Sequence, residues 1–226
     1  MFRLDRTCLE TRQTCINQRR VSSKPLYGRL HTAVCIASGP SLTADDCETV
    51  RNWRNISRRS TQTEKETGAQ EKIVIVVNTT FELAPWADIL YAMDRNWWEG
   101  YYKKNNKQFA GIRLSPLSGL TCATKIRFNH YQNSGVGAIS LAAHLGAKRI
   151  ILLGYDCQKT GGKTHWHGNH PKGLGNAGSI GTWPGMFERL KKDLNGIEIV
   201  NCTRETALRM FERKPLEEVL NEHNQH

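Results

Sequence analysis

No apolar run in the chain approaches the roughly 18–20 residues that a bilayer span requires. The longest runs, 73–77 and 150–153, have the length of strands. There is no C-x-x-C pair, so no zinc ribbon or thioredoxin-like redox motif is indicated. The seven cysteines (8, 15, 35, 47, 122, 157 and 202) are odd in number and scattered, which predicts reduced thiols rather than a disulfide framework. Residues 1–6 carry no apolar h-region, so a secretory signal is not expected and a cytoplasmic location is. There is no G-x-G-x-x-G, no Walker A loop and no internal repeat. No helix-turn-helix, zinc-finger or RNA-recognition signature accompanies the basic charge. Acid is missing from one long stretch: between Gly100 and Tyr155 there is no Asp or Glu.

What is present is a basic chain of 226 residues with formal net charge +11, 38% hydrophobic and 23% charged. That composition is globular and excludes a fully disordered or collagen-like polymer. The positive charge gathers in residues 1–30 and in the acid-free stretch, which holds Lys103, Lys104, Lys107, Arg113, Lys125, Arg127, Lys148 and Arg149. Such a field attracts anions: nucleotide phosphates, acidic glycans or nucleic acid.

Short β-branched runs alternate with helical patterns. Strands are expected at 31–37, 72–77, 89–93, 109–114, 150–153 and 197–200. Helices are expected from Thr43 as N-cap, at 84–91, at 137–145 with Gly146 as C-cap, at 186–194, at 204–213 and near Pro215. Residues 97–102 suggest a helix or turn, and 54–72 reads as a loop. The alternation predicts an α/β fold: a single Rossmann-like domain whose mostly parallel sheet is covered by helices on both faces. The predicted organisation is a basic arm at 1–30, the nucleotide-binding domain at 31–213 and a C-terminal helix and tail at 214–226.

In such sheets ligands bind beyond the carboxyl ends of the strands. Three strand ends and one loop stand there. Ser38-Gly39-Pro40-Ser41 follows the first strand and opens a helix, a setting suited to phosphate. Asn78 follows the second strand, where its amide can bond a ribose or base edge. Asn133-Ser134-Gly135-Val136 opens an apolar helix, and a helix N-cap is its bland use. The segment Thr164-His165-Trp166-His167-Gly168-Asn169-His170 places three histidines within six residues. Imidazole suits a general base or acid near neutral pH. H-x-H with a third His can also ligate zinc, but no cysteine pair supports it and Asp156 is the nearest carboxylate, so no metal is expected. Trp97, Trp98, Tyr101 and Tyr102 offer an aromatic acceptor platform, with core packing as the alternative for at least two of them.

The order of these pieces resembles two related groups: the bacterial sialyltransferases of glycosyltransferase family 42, and the 6-hydroxymethylpterin diphosphokinase-like proteins, which are widespread in phages and bacteria. Residues 34–42, Asn78, the Ser134-Gly135-Val136 block followed by Gly154-Tyr155-Asp156, and Thr164-His165-Trp166-His167-Gly168 carry the resemblance. It implies a nucleotide-sugar donor with Gly39, Pro40 and Ser41 against its phosphate. Asn78 would then contact the nucleotide, and Ser134, Gly135 and Val136 would line the pocket. Asp156 would organise the floor, and His165 would act as the base toward a hydroxyl of a glycan, small molecule or nucleic acid. The sialyltransferase tyrosines that hold the leaving phosphate have no counterpart in 157–163, where Lys159 or Lys163 would substitute. His167 and His170 would join the acceptor or leaving-group contacts. The diphosphokinase branch implies instead pyrophosphoryl transfer from ATP, with Mg²⁺ on Asp94 and Asp156. A third class is a non-catalytic nucleotide- or nucleic-acid-binding accessory protein.

Overall fold

The computed structural model describes residues 30–60, 71–104, 108–170, 173–174 and 178–222. The predicted basic arm therefore lies outside the described residues, apart from Leu30. Eight strands form one sheet, and every pairing in it is parallel. They are β1 (Leu30–Ile36), β2 (Glu71–Val77), β3 (Ile89–Tyr91), β4 (Ile112–Ser115), β5 (Thr124–Lys125), β6 (Arg149–Leu153), β7 (Glu198–Asn201) and β8 (Glu212–Arg213). The helices are α1 (Ala44–Ser60), α2 (Ser134–Leu145), α3 (Trp183–Asp193) and α4 (Leu216–Asn221). Among the described residues no helix is long and apolar enough to cross a membrane.

The strand order is β5-β4-β3-β2-β1-β6-β7-β8. From β1 the chain steps outward through β2 to β5, then returns through α2 to β6 on the other side of β1. The order thus reverses between β1 and β6, where the connections leave in opposite directions and open a crevice at the carboxyl edge.

Alternate side chains of each central strand serve two separate cores. Val34 and Ile36 pack with Val74, Val76, Ile151 and Leu153 under Val50 and Trp53 of α1 and Leu216, Val219 and Leu220 of α4. Ala33 and Cys35 pack with Ile75, Ile150 and Leu152 under α2 and under Phe187 and Leu190 of α3. Complete burial of Ile150, Ile151 and Leu152 stabilises by about 1.5–3 kcal/mol per side chain. The C-terminal segment set off at 214 is thus a working part of the first core. The five cysteines among the described residues are free thiols.

Three local expectations fail for identifiable reasons. The loop expected at 54–72 is helix through Ser60. There Trp53 is buried, and the buried Arg54 pairs with Asp88, its Nη2 2.5 Å from Oδ1. The expected helix at 84–91 is a turn leading into β3, and Pro85 falls inside it. The expected helix at 204–213 is an irregular loop ending in β8. Its polar side chains take the backbone partners a helix would use: Thr203 N–H donates to Asn201 Oδ1 at 3.1 Å, and Leu208 N–H to Thr206 Oγ1 at 3.0 Å.

Candidate functional site at the carboxyl edge

Two glycines allow the ends of β1 and β6 to meet. A Cβ on Gly39 would stand 2.0 Å from Asp156 Oδ1 and 2.5 Å from the Gly154 carbonyl oxygen. Gly154 has φ +68°, and a Cβ there would meet the Ala37 carbonyl oxygen at 2.5 Å. Ala37 N–H donates to Leu153 O at 2.8 Å, and Gly39 N–H to Gly154 O at 2.7 Å, extending the pairing past both strands.

Asp156 closes this junction. Its side chain is completely buried and accepts hydrogen bonds from Ser41 N–H and Ser41 Oγ, both at 2.9 Å, and from Thr160 Oγ1 at 3.0 Å. Burial raises its pKa, against the lowering effect of the Ser41 and Thr160 hydrogen bonds. Protein donors thus take three of the roughly four acceptor positions of this buried carboxylate, two on Oδ2 and one on Oδ1. The turn itself departs from the expected row of free N–H groups. Gly39 and Ser41 N–H are committed as above, Leu42 N–H donates to Gly39 O, and Pro40 has none. What the turn supplies is close approach of the backbone.

The neighbouring strand end is strained and open. Asn78 has φ +48°, a left-handed conformation that asparagine tolerates better than most residues, and its Oδ1 is buried without a hydrogen-bond partner. Thr80 Oγ1 donates to Ser38 Oγ at 3.3 Å, tying this end to the β1 turn. The other non-glycine residues of positive φ among the described ones are Tyr131, Gln132 and Cys157. They lie just before α2 and just after β6, on the same edge.

At the mouth of α2, Asn133 Oδ1 accepts from Val136 N–H at 3.1 Å as N-cap. Tyr155 Oη donates to the Gly135 carbonyl at 3.0 Å, holding the helix start against the β6 end. Ser134 and Gly135 reach the surface, whereas Val136 is fully buried in the core. Trp97 and Trp98 are likewise core residues and not an acceptor platform. They are 2% and 0% exposed, and their indole N–H groups donate to Thr79 Oγ1 and the Ala92 carbonyl.

The histidine loop is anchored over the β1 turn. Trp166 N–H donates to Ser38 O at 3.1 Å. Gly168, at φ +81°, turns the chain so that its N–H reaches His165 O at 3.1 Å. Upstream, Gly161 and Gly162, both at positive φ, make a two-residue turn with reciprocal Thr160–Lys163 backbone hydrogen bonds of 3.1 Å. Exposed Lys159 and Lys163 flank it. His165 and His167 stack with ring centroids 5.1 Å apart, and His170 lies tilted against both, at 4.7 Å from His165 and 4.6 Å from His167.

Burial, and after it the neighbouring imidazoles, lower the pKa values of His165 and His167 to about 4. A Ser38 backbone hydrogen bond pulls His165 the other way. His170 is lowered by burial and raised by the Asp94 charge. All three are therefore neutral near pH 7. Thr164 Oγ1, His165 Nε2, Trp166 Nε1 and His167 Nε2 are buried without hydrogen-bond partners. Each such group costs about 1–3 kcal/mol, so this is an expensive loop to keep for shape alone.

The structure thus brings together Gly39, Pro40, Ser41, Asp156 and His165, with Asn78 and Ser134-Gly135 on the same edge. It divides the acid-free stretch. Lys125 ends β5 at this edge, while Arg149 opens β6 at the opposite one, paired with Glu198 and Glu222. Thr160 joins the site without having been singled out, and Ser38 and Tyr155, quoted within their motifs without a role of their own, join it through the bonds described above.

No family model matches the chain, and no curated protein matches it. Among solved structures it is similar to the MAf glycosyltransferase from Magnetospirillum magneticum AMB-1, at 11% identity and a TM-score of 0.55. The match covers 90% of this chain and 37% of that one. At that identity the likeness is one of fold.

Proposed function

We propose that the protein is a nucleotide-dependent transferase that moves a sugar from a nucleotide-sugar donor to a hydroxyl acceptor. The observation that carries this reading is the convergence, at the β1–β6 reversal, of the Ser38-Gly39 turn, the open amide of Asn78 and the anchored histidine loop. The fold shared with a glycosyltransferase agrees with it. Asn78 would take a ribose or base contact. The half-buried start of α2, at Ser134 and Gly135, would face the phosphate, with Lys159 and Lys163 beside the leaving group. In the transfer the acceptor oxygen forms a bond to the donor carbon, the bond from that carbon to the phosphate oxygen breaks, and the nucleotide departs. The acceptor proton leaves at the histidine cluster, to His165 where its imidazole is free.

The pyrophosphoryl alternative would require Asp156 to share Mg²⁺ with Asp94, and this is disfavoured because the carboxylate is completely buried and holds three protein donors.

The test is a panel of nucleotide-sugars, read as thermal stabilisation and nucleotide release. One donor class should stabilise the protein and turn over, and His165→Ala should lose turnover while keeping the stabilisation. Response to ATP–Mg²⁺ alone, with none to any nucleotide-sugar, would overturn the reading.

A further inference from the structure

We propose that His165, His167 and His170 bind a divalent transition-metal ion of the zinc class, with a fourth position left for water or a substrate oxygen. One ligand nitrogen from each residue lies within 4.8 Å of the other two. Zinc with nitrogens at about 2.0–2.1 Å in a tetrahedron sets them about 3.4 Å apart. Side-chain torsions alone can close that difference.

Two features favour a metal over incidental crowding. First, His165 Nε2 and His167 Nε2 are buried with no hydrogen-bond partner, and an ion held by the cluster would satisfy nitrogens that no protein group reaches. Second, the loop is fixed before any ion arrives, by the Trp166–Ser38 bond and the Gly168 turn. A set of three imidazoles selects zinc, copper, nickel or iron, and does not suit Mg²⁺ or Ca²⁺, which take oxygen ligands. Three protein ligands with an open position is the pattern of catalytic zinc.

The H-x-H segment with its third histidine was set aside as a metal site because no cysteine pair supports it. The fold changes that reading by gathering one nitrogen of each histidine into one cluster. A nitrogen on the ion cannot also take a proton, so His165 serves here as a ligand. The inference does not depend on the transferase reading, since metal binding is measured without a donor.

The experiment uses the full chain without a polyhistidine tag, since a tag would itself bind metal. Protein dialysed against a weak chelator is loaded with Zn²⁺ for elemental analysis and with Co²⁺ for visible absorption. About one equivalent of zinc should remain, and Co²⁺ should give the intense visible bands of a low-coordinate nitrogen site. His167→Gln and His170→Gln should each weaken binding by more than about 100-fold, beyond the loss typical of a second-shell change. His130→Gln should retain the wild-type stoichiometry. Wild-type protein that retains no zinc and gives only the weak spectrum of hydrated Co²⁺ would overturn the proposal, whatever the variants do. So would metal retained in folded His167→Gln and His170→Gln proteins. Nucleotide stabilisation that persists in a metal-free wild type would leave the transferase reading standing.

Discussion

The β1–β6 junction and the histidine loop lie side by side, yet they treat polar groups in opposite ways. At the junction Asp156 accepts three hydrogen bonds, and the N–H groups of Gly39, Ser41 and Leu42 are committed. In the loop four consecutive residues, 164–167, bury a polar atom with no partner. The first region is built for rigidity and costs little. The second keeps unsatisfied polar atoms against a stability penalty, which is the signature of a group held for a ligand or a reaction.

Substitutions at the two regions should separate stability from activity. The largest loss of stability is expected from Gly39→Ala, whose methyl collides with Asp156 and with backbone that cannot yield. It should cost about 3 kcal/mol or more, read as a fall in the urea midpoint. Asp156→Ala comes next. It strands Ser41 N–H, Ser41 Oγ and Thr160 Oγ1 in a buried place, at a cost of about 2–3 kcal/mol. His165→Ala should reverse the pattern. Its Nε2 makes no hydrogen bond, so stability should move by no more than about 1 kcal/mol, while transfer falls by about 10²–10⁴-fold. A His165→Ala protein as unstable as Asp156→Ala would erase the distinction between the regions.

The smallest effects lie in the pH dependence of two buried aspartates. Asp156 has no cationic partner, and burial raises its pKa above the ordinary 3.8. Its contribution is present below that value and is lost as pH rises through the raised one. For Asp46, burial also pushes upward, but hydrogen bonds from Arg204 and Thr43 outweigh it and the pKa falls. Its contribution is present above 3.8 and is lost as pH falls through the lowered value. Denaturation of Asp156→Asn and Asp46→Asn across the acid range should therefore change the wild-type slope in opposite directions.

Most of the architecture was legible because fully buried parallel strands read as continuous apolar runs, as in Ile150-Ile151-Leu152-Leu153. The short edge strands β5 and β8, two residues each, carry no periodicity to detect. The helix expected at 204–213 failed because Thr203 and Thr206 are tied to the backbone of Tyr155, 48 and 51 positions away, through contacts that only the fold brings into range. In the site, Gly39 and His165 could be placed from their motifs. The burial of Trp97, Trp98 and Val136 could not, since an aromatic or β-branched residue near a strand end reads the same whether it lines a cleft or fills a core. The hydrogen bonds from Ser41 to Asp156 were equally hidden, because the two residues lie 115 positions apart.

The most direct test of a ligand site at the carboxyl edge is calorimetric titration of cytidine, uridine, guanosine and adenosine nucleotides into wild-type protein and Asn78→Ala. The account predicts one-to-one binding of at least one nucleotide and a loss of about tenfold or more in affinity when the open amide is removed, equal to about 1.4 kcal/mol. Equal affinity in the two proteins, or no binding of any nucleotide to wild type, would contradict it.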